Sequence, residues 1–365
     1  MEMENIRHKP DPDFGRLRKA VLRQGMPDRL PLFEVNIDDE VLGAFLGEPV
    51  TKPGFMNQED NRRYAEQSVR AYHYLGYDYV MLPAYLPMKS FMNVAKDTAA
   101  LAKEQGRAWV DEKRGPVTNW QEFESFDWSS AEAADCLAPE YAARILPEGM
   151  GLIVRTRGML EWLLRLLGFE TLGYALADSP DLVQSMVDKV EERVVGLVRR
   201  LAQMDRMGAI VYYDDMGYKT STMVSPACLR RYVFPCMKKC AQVTHEHGLP
   251  FILHACGNLE RVMNDLIDDV GIDAKHSYED VILPMAEVKA QYGKRIGILG
   301  GVDMNILTLG PEERIRATAR QAIADCAPGG GFAFGSGNTI ANYIPLNNYL
   351  AMLDEAWRVG GMING

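Results

Sequence analysis

Short apolar runs recur along the chain, each followed by a polar or glycine-containing turn and then by a longer stretch with helical spacing. Eight runs predict strands: Leu30–Val35, Asp78–Leu82, Gly151–Arg155, Ala209–Tyr213, Pro250–His254, Ile272–Lys275, Arg295–Leu299 and Gly331–Phe334. Apolar runs of this kind, set between helices, suit parallel strands buried on both faces. The intervening segments predict helices. In Asp181–Met207 the residues Leu182, Met186, Val190, Val194, Val195 and Leu201 fall near helical spacing, with Glu191, Glu192 and Arg193 for a wet face. Ser225-Pro226 reads as an N-cap followed by proline in the first helical position. That helix runs to His247 and stops at Gly248. Asn258–Asp268, Leu283–Gln291, Pro311–Cys326 and Pro345–Val359 complete the set. Strands alternating with helices in this way predict an α/β fold, a (β/α)8 TIM barrel. An open doubly wound sheet is the alternative.

Two stretches exceed the minimal unit. Residues 1–28 predict an N-terminal extension whose helix, Phe14–Gln24, packs outside the barrel. Residues 86–130 carry Trp109, Trp120 and Trp128 among many polar residues and predict an insertion after the second strand, a hairpin over the barrel mouth. Residues 1–365 thus read as a single barrel domain.

Composition narrows the partners. Hydrophobic residues make up 47% and charged residues 25%, enough core to set disorder aside. The formal charge is −10, so the basic footprint that nucleic-acid binding needs is missing. Met1-Glu2-Met3-Glu4-Asn5 lacks the basic and apolar regions of a secretory signal. No apolar run reaches the ~20 residues that span a bilayer. The six cysteines show no CxxC pair, which suits reduced thiols in a cytoplasmic protein with no membrane partner.

Active sites of such barrels lie at the C-terminal strand ends. There the chain offers Glu34, then Tyr85, then Arg155 and Arg157, then Tyr212-Tyr213-Asp214-Asp215, then His254-Ala255-Cys256, then His276, Asp303, Ser336 and Asn338. His254 and Cys256 are the sharpest pair. On an extended strand end, residues i and i+2 point the same way, so an imidazole and a thiolate can share one Zn²⁺. The same pattern also arises from a core histidine and a buried thiol. Asp214 and Asp215 can supply a general base or a metal ligand, or cap a helix start. Neighbouring carboxylates on a strand point apart, so one of the two faces the site. Arg155 and Arg157 share a face and can bind a carboxylate, or form salt bridges to the insertion. His245 and His247, by contrast, diverge on a helix and read as surface cations near its C-terminus.

The ordered set His254-Ala-Cys-Gly-Asn258, Gly300-Gly-Val-Asp303, Gly331-Phe-Ala-Phe-Gly-Ser-Gly-Asn338 and Pro345-Leu-Asn-Asn-Tyr-Leu-Ala-Met352 resembles the uroporphyrinogen decarboxylase superfamily. Asp214-Asp215 before Ser225-Pro226, and Asp28-Arg29-Leu30-Pro31, fit the same pattern. The resemblance implies a (β/α)8 barrel and one of two activities. Decarboxylases of the superfamily carry arginines after the first strand for the carboxylates of a tetrapyrrole. Here that region reads Phe33-Glu-Val-Asn-Ile-Asp-Asp39, which is acidic and would repel such a substrate. The corrinoid-dependent methyltransferase and O-demethylase branch is the closer match. It implies zinc held by His254 and Cys256, a small methylated substrate, and a corrinoid (methylcobamide) on a partner protein. That branch places a further zinc-ligating cysteine near the end of strand eight, where this chain has Ser336. The third donor then falls to Glu34, Asp214 or Asp215, which are also the candidate catalytic residues at the strand ends. Tyr85, Arg155, Tyr213, His276, Asp303, Ser336 and Asn338 are the expected substrate contacts, with Tyr218 a further aromatic candidate. A tetrapyrrole decarboxylase and a non-catalytic binding homologue are the alternatives.

Overall fold

A computed structural model describes residues 10–102, 106–111 and 113–361. Residues 1–5, on which the reading of the chain start rests, lie outside the described residues. Strands follow in chain order as β1 (Tyr79–Pro83), β2 (Met92–Ala95), β3 (Arg107–Val110), β4 (Gly151–Arg157), β5 (Met207–Tyr213), β6 (Phe251–His254), β7 (Ala274–His276), β8 (Gly297–Val302) and β9 (Phe332–Ser336). Seven form one parallel sheet in the order β1-β4-β5-β6-β7-β8-β9. Helices follow the strands and cover the outer face, so the sheet curls into a TIM-barrel-like α/β fold. β1, β6, β7, β8 and β9 are buried at every position, as expected of strands covered on both sides.

The first expected strand, Leu30–Val35, does not form a regular ladder. It pairs with β9 through one parallel bridge, Leu32 to Phe334, and Ile37 pairs with Ile340 beyond it. Pro31 has no N–H, so it can only accept, from the Phe334 amide at 2.9 Å. On the β1 side a side chain stands in for the ladder. The Tyr79 hydroxyl accepts from the Glu34 amide at 2.7 Å and donates to the Glu34 carbonyl at 2.9 Å. The barrel is therefore closed at a seam of two isolated bridges and one tyrosine.

The N-terminal helix, Phe14–Val21, sits under the barrel. The Phe14 ring lies where a Cβ on Gly151 or Gly208 would come within 2.4 Å, so glycines at the starts of β4 and β5 make its seat. Residues 86–130 contain the hairpin, β2 antiparallel to β3, and a short helix, Trp120–Ser125. The insertion is tied to the barrel mouth. The Leu101 amide donates to the Asn342 carbonyl, and the Asn342 amide group to Asp97 at 2.6 Å. The expected helix Asp181–Met207 ends sooner, as Pro180–Ala202, because β5 begins at Met207. The helix opened by Ser225 contains a π-turn, Leu229–Val233, directly before Phe234-Pro235. The turn absorbs the hydrogen bond that Pro235 cannot make. Among the described residues no helix is long and apolar enough to cross a membrane, and all six cysteines are free.

Candidate metal centre at the barrel mouth

β6 delivers His254 to the mouth with no exposed surface. The chain then turns through Cys256 and Gly257, and Gly257 has φ +84°. A Cβ there would come within 2.1 Å of the Gly217 backbone, and one on Gly217 within 2.8 Å of the Asn258 nitrogen. The loops after β5 and β6 thus touch main chain to main chain, which only glycine allows. The Asn258 amide donates to the Tyr218 carbonyl at 2.7 Å across the contact. The Cys256 amide donates to Asp215 Oδ1 at 2.8 Å. That crossing brings Asp215 to the histidine and the thiol.

Three donor atoms converge. His254 Nε2 lies 3.7 Å from Cys256 Sγ and 3.7 Å from Asp215 Oδ1. Asp215, His254 and Cys256 each place a ligand atom within 4.8 Å of the other two. Tetrahedral zinc with N, S and O donors would hold them about 3.4–3.6 Å apart, from bond lengths of roughly 2.0–2.3 Å. The donor set and spacing fit zinc with little movement.

Hydrogen bonding sets the imidazole's lone pair. His276 Nε2 faces the Ser336 carbonyl at 3.1 Å, so it must donate. Neutral His276 then keeps a bare Nδ1. That atom lies 2.8 Å from His254 Nδ1, which must therefore carry the other proton. His254 Nε2 is left unprotonated and turned toward Cys256 and Asp215, the tautomer a metal needs. Burial supports the neutral state of both rings. It drives His254 well below its usual range, with His276 adding to the effect, and brings His276 down to about 3. Tyr213 stacks on His254 at 4.3 Å and covers one face of it.

The sulfur is held from two sides. Ser277 Oγ donates to Cys256 Sγ at 3.3 Å and Asn338 Nδ2 at 3.2 Å. Burial, with the Asp215 charge next, pushes the Cys256 thiol up to about 12. Ser277 adopts φ +77°, a left-handed conformation costly for a residue with a Cβ, and of the kind that gathers at functional sites. Lys275 braces it. Its fully buried ammonium donates to the Ser277 carbonyl at 2.5 Å and the His276 carbonyl at 3.3 Å, and lies 4.2 Å over the Tyr278 ring. Burial lowers Lys275 to about 8.

The other expected site residues lie as follows. Asp214 is turned away from the cluster by the pleat. It accepts from the Leu160 and Glu161 amides at 3.3 and 2.8 Å, at the start of the helix Met159–Leu167. Glu34 is buried against Ser336, accepting from its amide at 2.7 Å. Ser336 Oγ contacts both Glu34 Oε2 and, at 2.6 Å, the Asn338 carbonyl. A hydroxyl has one proton and the carbonyl must receive it, so both bonds are satisfied together when Glu34 is protonated. Burial accordingly raises Glu34 to about 8. Ser336 thus serves a link from Glu34 to Asn338 and does not join the donor cluster. Asp303 caps the helix Met304–Leu309 through the Asn305 amide at 2.8 Å. Tyr85 pairs its backbone with Asp135, and Tyr218 is 50% exposed against Phe169. Arg155 and Arg157 end β4 at the mouth.

Sequence reasoning places Ser277 beside His276 at the end of the sixth expected strand but gives it no role, and it misses Lys275. The signal for Lys275 was a lysine inside an otherwise apolar strand run; for the role of Ser277 no local signal exists.

Comparison with known proteins agrees with this architecture. The family model for uroporphyrinogen decarboxylase (URO-D) matches residues 134–359. A curated uroporphyrinogen decarboxylase from Actinobacillus succinogenes is 24% identical over 178 residues, 48% of each chain. One from Thioalkalivibrio sulfidiphilus is 26% identical over 159 residues, 42% of each. The chain spans about half the length of the curated relatives it matches. Among solved structures, a methyltransferase from Methanosarcina mazei superposes with a TM-score of 0.70 at 20% identity, covering 96% of this chain and 99% of the other. At that identity the likeness is one of fold.

Proposed function

This chain belongs to the uroporphyrinogen decarboxylase (URO-D) family, and from that premise we propose that it is a zinc-dependent methyltransferase of the corrinoid-linked kind. The observation that carries the reading is the convergence of Asp215, His254 and Cys256 around an imidazole held in its metal-ready tautomer. Three protein donors leave a fourth position for substrate, the pattern of catalytic zinc sites. When bound, zinc would supply Lewis acidity at the substrate's oxygen or sulfur, and a corrinoid on a partner protein would supply the methyl-exchanging centre.

The chain's own residues do the rest. Held to zinc, Cys256 would be a thiolate whose proton has passed to solvent, and the Ser277 and Asn338 donors would compensate the charge on sulfur. The Lys275 ammonium adds positive charge behind them. Tyr213 covers the His254 ring and keeps water from that face. Asp215, an oxygen donor, makes the set harder than two cysteines would. This favours a leaving group that departs through oxygen, so the direction of choice is demethylation of a small methyl ether or related O-methyl compound. The six free cysteines fit a cytoplasmic setting.

Zinc titration of the metal-free protein, with His254→Ala as control, tests the centre. Spectral conversion of cob(I)alamin to methylcobalamin with small methoxy compounds tests the transfer. Absence of zinc binding overturns the reading, and so does conversion of uroporphyrinogen III to coproporphyrinogen. Zinc-free ligand binding without turnover would support a non-catalytic homologue instead.

A further inference from the structure

Arg155 and Arg157 leave the end of β4 on the inner side of the barrel. The register puts Arg157 beside Tyr213 and Tyr213 beside His254, whose rings stack at 4.3 Å. Paired positions of parallel strands share a face, and so do residues i and i+2 of one strand. Both guanidiniums therefore face the space in front of the donor cluster.

Among the described residues neither forms an ion pair or hydrogen bond with a carboxylate, and Arg157 feels Glu161 only through its charge. Arg155 Nε is buried with no hydrogen-bond partner, and so is Nε of Arg165 on the helix that follows β4. Arg165 has Glu161 Oε2 at 3.7 Å, beyond hydrogen-bond reach, and Arg157 rests near the Trp162 ring at 5.9 Å. Buried arginines elsewhere in the chain are well supplied. Arg16 binds Asp28, Asp11 and Asp78, and Arg193 binds the carbonyls of Ser129, Trp128 and Lys189. Guanidinium donors removed from water without acceptors are unfavourable. Burial lowers Arg157 below its ordinary value and brings Arg165 down to about 10, and each feels a neighbouring arginine's charge. Arg155, Arg157 and Arg165 thus share this wall of the mouth with Glu161, which also feels the charge of Asp215.

We propose that Arg155 and Arg157, with Arg165 behind them, form an anion-binding subsite beside the Asp215–His254–Cys256 cluster, and that the methylated substrate carries a carboxylate seated there. The second half rests on the methyl-transfer reading; the subsite itself rests on the arginines alone. A planar carboxylate matches the guanidinium fork with two parallel bonds, which a neutral amide cannot reproduce.

Calorimetric titration with methoxyacetate and 4-methoxybenzoate, each against its primary amide, tests the subsite. Both carboxylates should bind at least tenfold more tightly than their amides. Arg155→Gln and Arg157→Gln should each erase most of that preference, and Arg157→Lys should restore part of it, with circular dichroism checking the fold. Equal binding of acid and amide overturns the proposal, as does failure of either acid to bind, or a preference that survives both glutamine variants. Tighter binding of inorganic phosphate overturns the carboxylate assignment. Zinc titration of the wild-type protein runs alongside. An arginine-dependent carboxylate preference without zinc binding keeps the subsite and sinks the metal reading; the converse sinks the subsite alone.

Discussion

Replacing His276 by phenylalanine isolates the tautomer relay from the donors themselves. His276 contributes no atom to the cluster, yet its Nδ1 accepts the proton that keeps His254 Nε2 bare. Phenylalanine preserves a ring against His254, which stacks on His276 at 5.1 Å, and against Phe33, tilted to it at 5.3 Å. It removes the acceptor 2.8 Å from His254 Nδ1 in a spot with no exposed surface. Stranding that buried N–H costs about 1–3 kcal/mol. The alternative tautomer escapes the cost by moving the proton to Nε2, where Cys256 Sγ at 3.7 Å can accept it beside the Asp215 charge. That proton occupies the metal's direction. Loss of such an outer partner typically weakens a metal site by about 10–100-fold, or roughly 1.4–2.7 kcal/mol. Competition against a chromophoric zinc chelator at fixed pH reads the affinity, and nitrogen NMR of the histidine rings reads the tautomer. Zinc affinity within twofold of wild type, with Nδ1 still protonated, would refute the relay.

Further outcomes follow from the same geometry. Asp215→Asn retains an oxygen for the Cys256 amide but loses the charge, so zinc affinity should fall at least tenfold while circular dichroism stays unchanged; undiminished binding would exclude Asp215 as a donor. The Cys256 thiol, raised to about 12 by burial and Asp215, is protonated near neutrality, so zinc uptake should release a proton and affinity should climb about tenfold per pH unit. Calorimetry in buffers of different ionisation enthalpy measures that release, and a flat pH profile would contradict it. Glu34, raised to about 8 by burial, stabilises the fold fully below its ordinary value near 4.5 and loses that contribution as pH rises through about 8. Glu34→Gln can still donate to Ser336, so urea midpoints of the two proteins should diverge in favour of the glutamine variant between pH 5 and 9; parallel curves would show that Glu34 is ionised throughout.

The barrel was legible because parallel strands covered on both faces leave unbroken apolar runs, as in Phe251-Ile-Leu253 and Gly297-Ile-Leu299. The seam was not. Leu30–Val35 has the composition of a strand, and whether it forms a ladder depends on Pro31 and on Tyr79, 45 residues away from Glu34. His254 and Cys256 were visible through their i, i+2 spacing on a strand end. Alternation limited the two aspartates to one, but only the loop crossing decides that it is Asp215. Ser336 stood where a cysteine was expected, and nothing local announces that it turns to Glu34. The roles of Lys275 and Ser277 are hardest to foresee, since the lysine turns back on the carbonyls of His276 and Ser277, and the serine's left-handed backbone acquires meaning only from a sulfur supplied by the end of β6.

The contact between Gly217 and Gly257 bears on what a substitution within the centre can change. With two backbones in direct contact, the distance between the loops that carry Asp215 and Cys256 is a property of the main chain. Side-chain packing around them has little say in it. Whatever stands at position 215 enters the cluster from the same point and at the same depth. A different donor at position 215 would therefore stand at the same depth with no change to the barrel. The two glycines fix where the donors stand, and the side chains decide which atoms they offer.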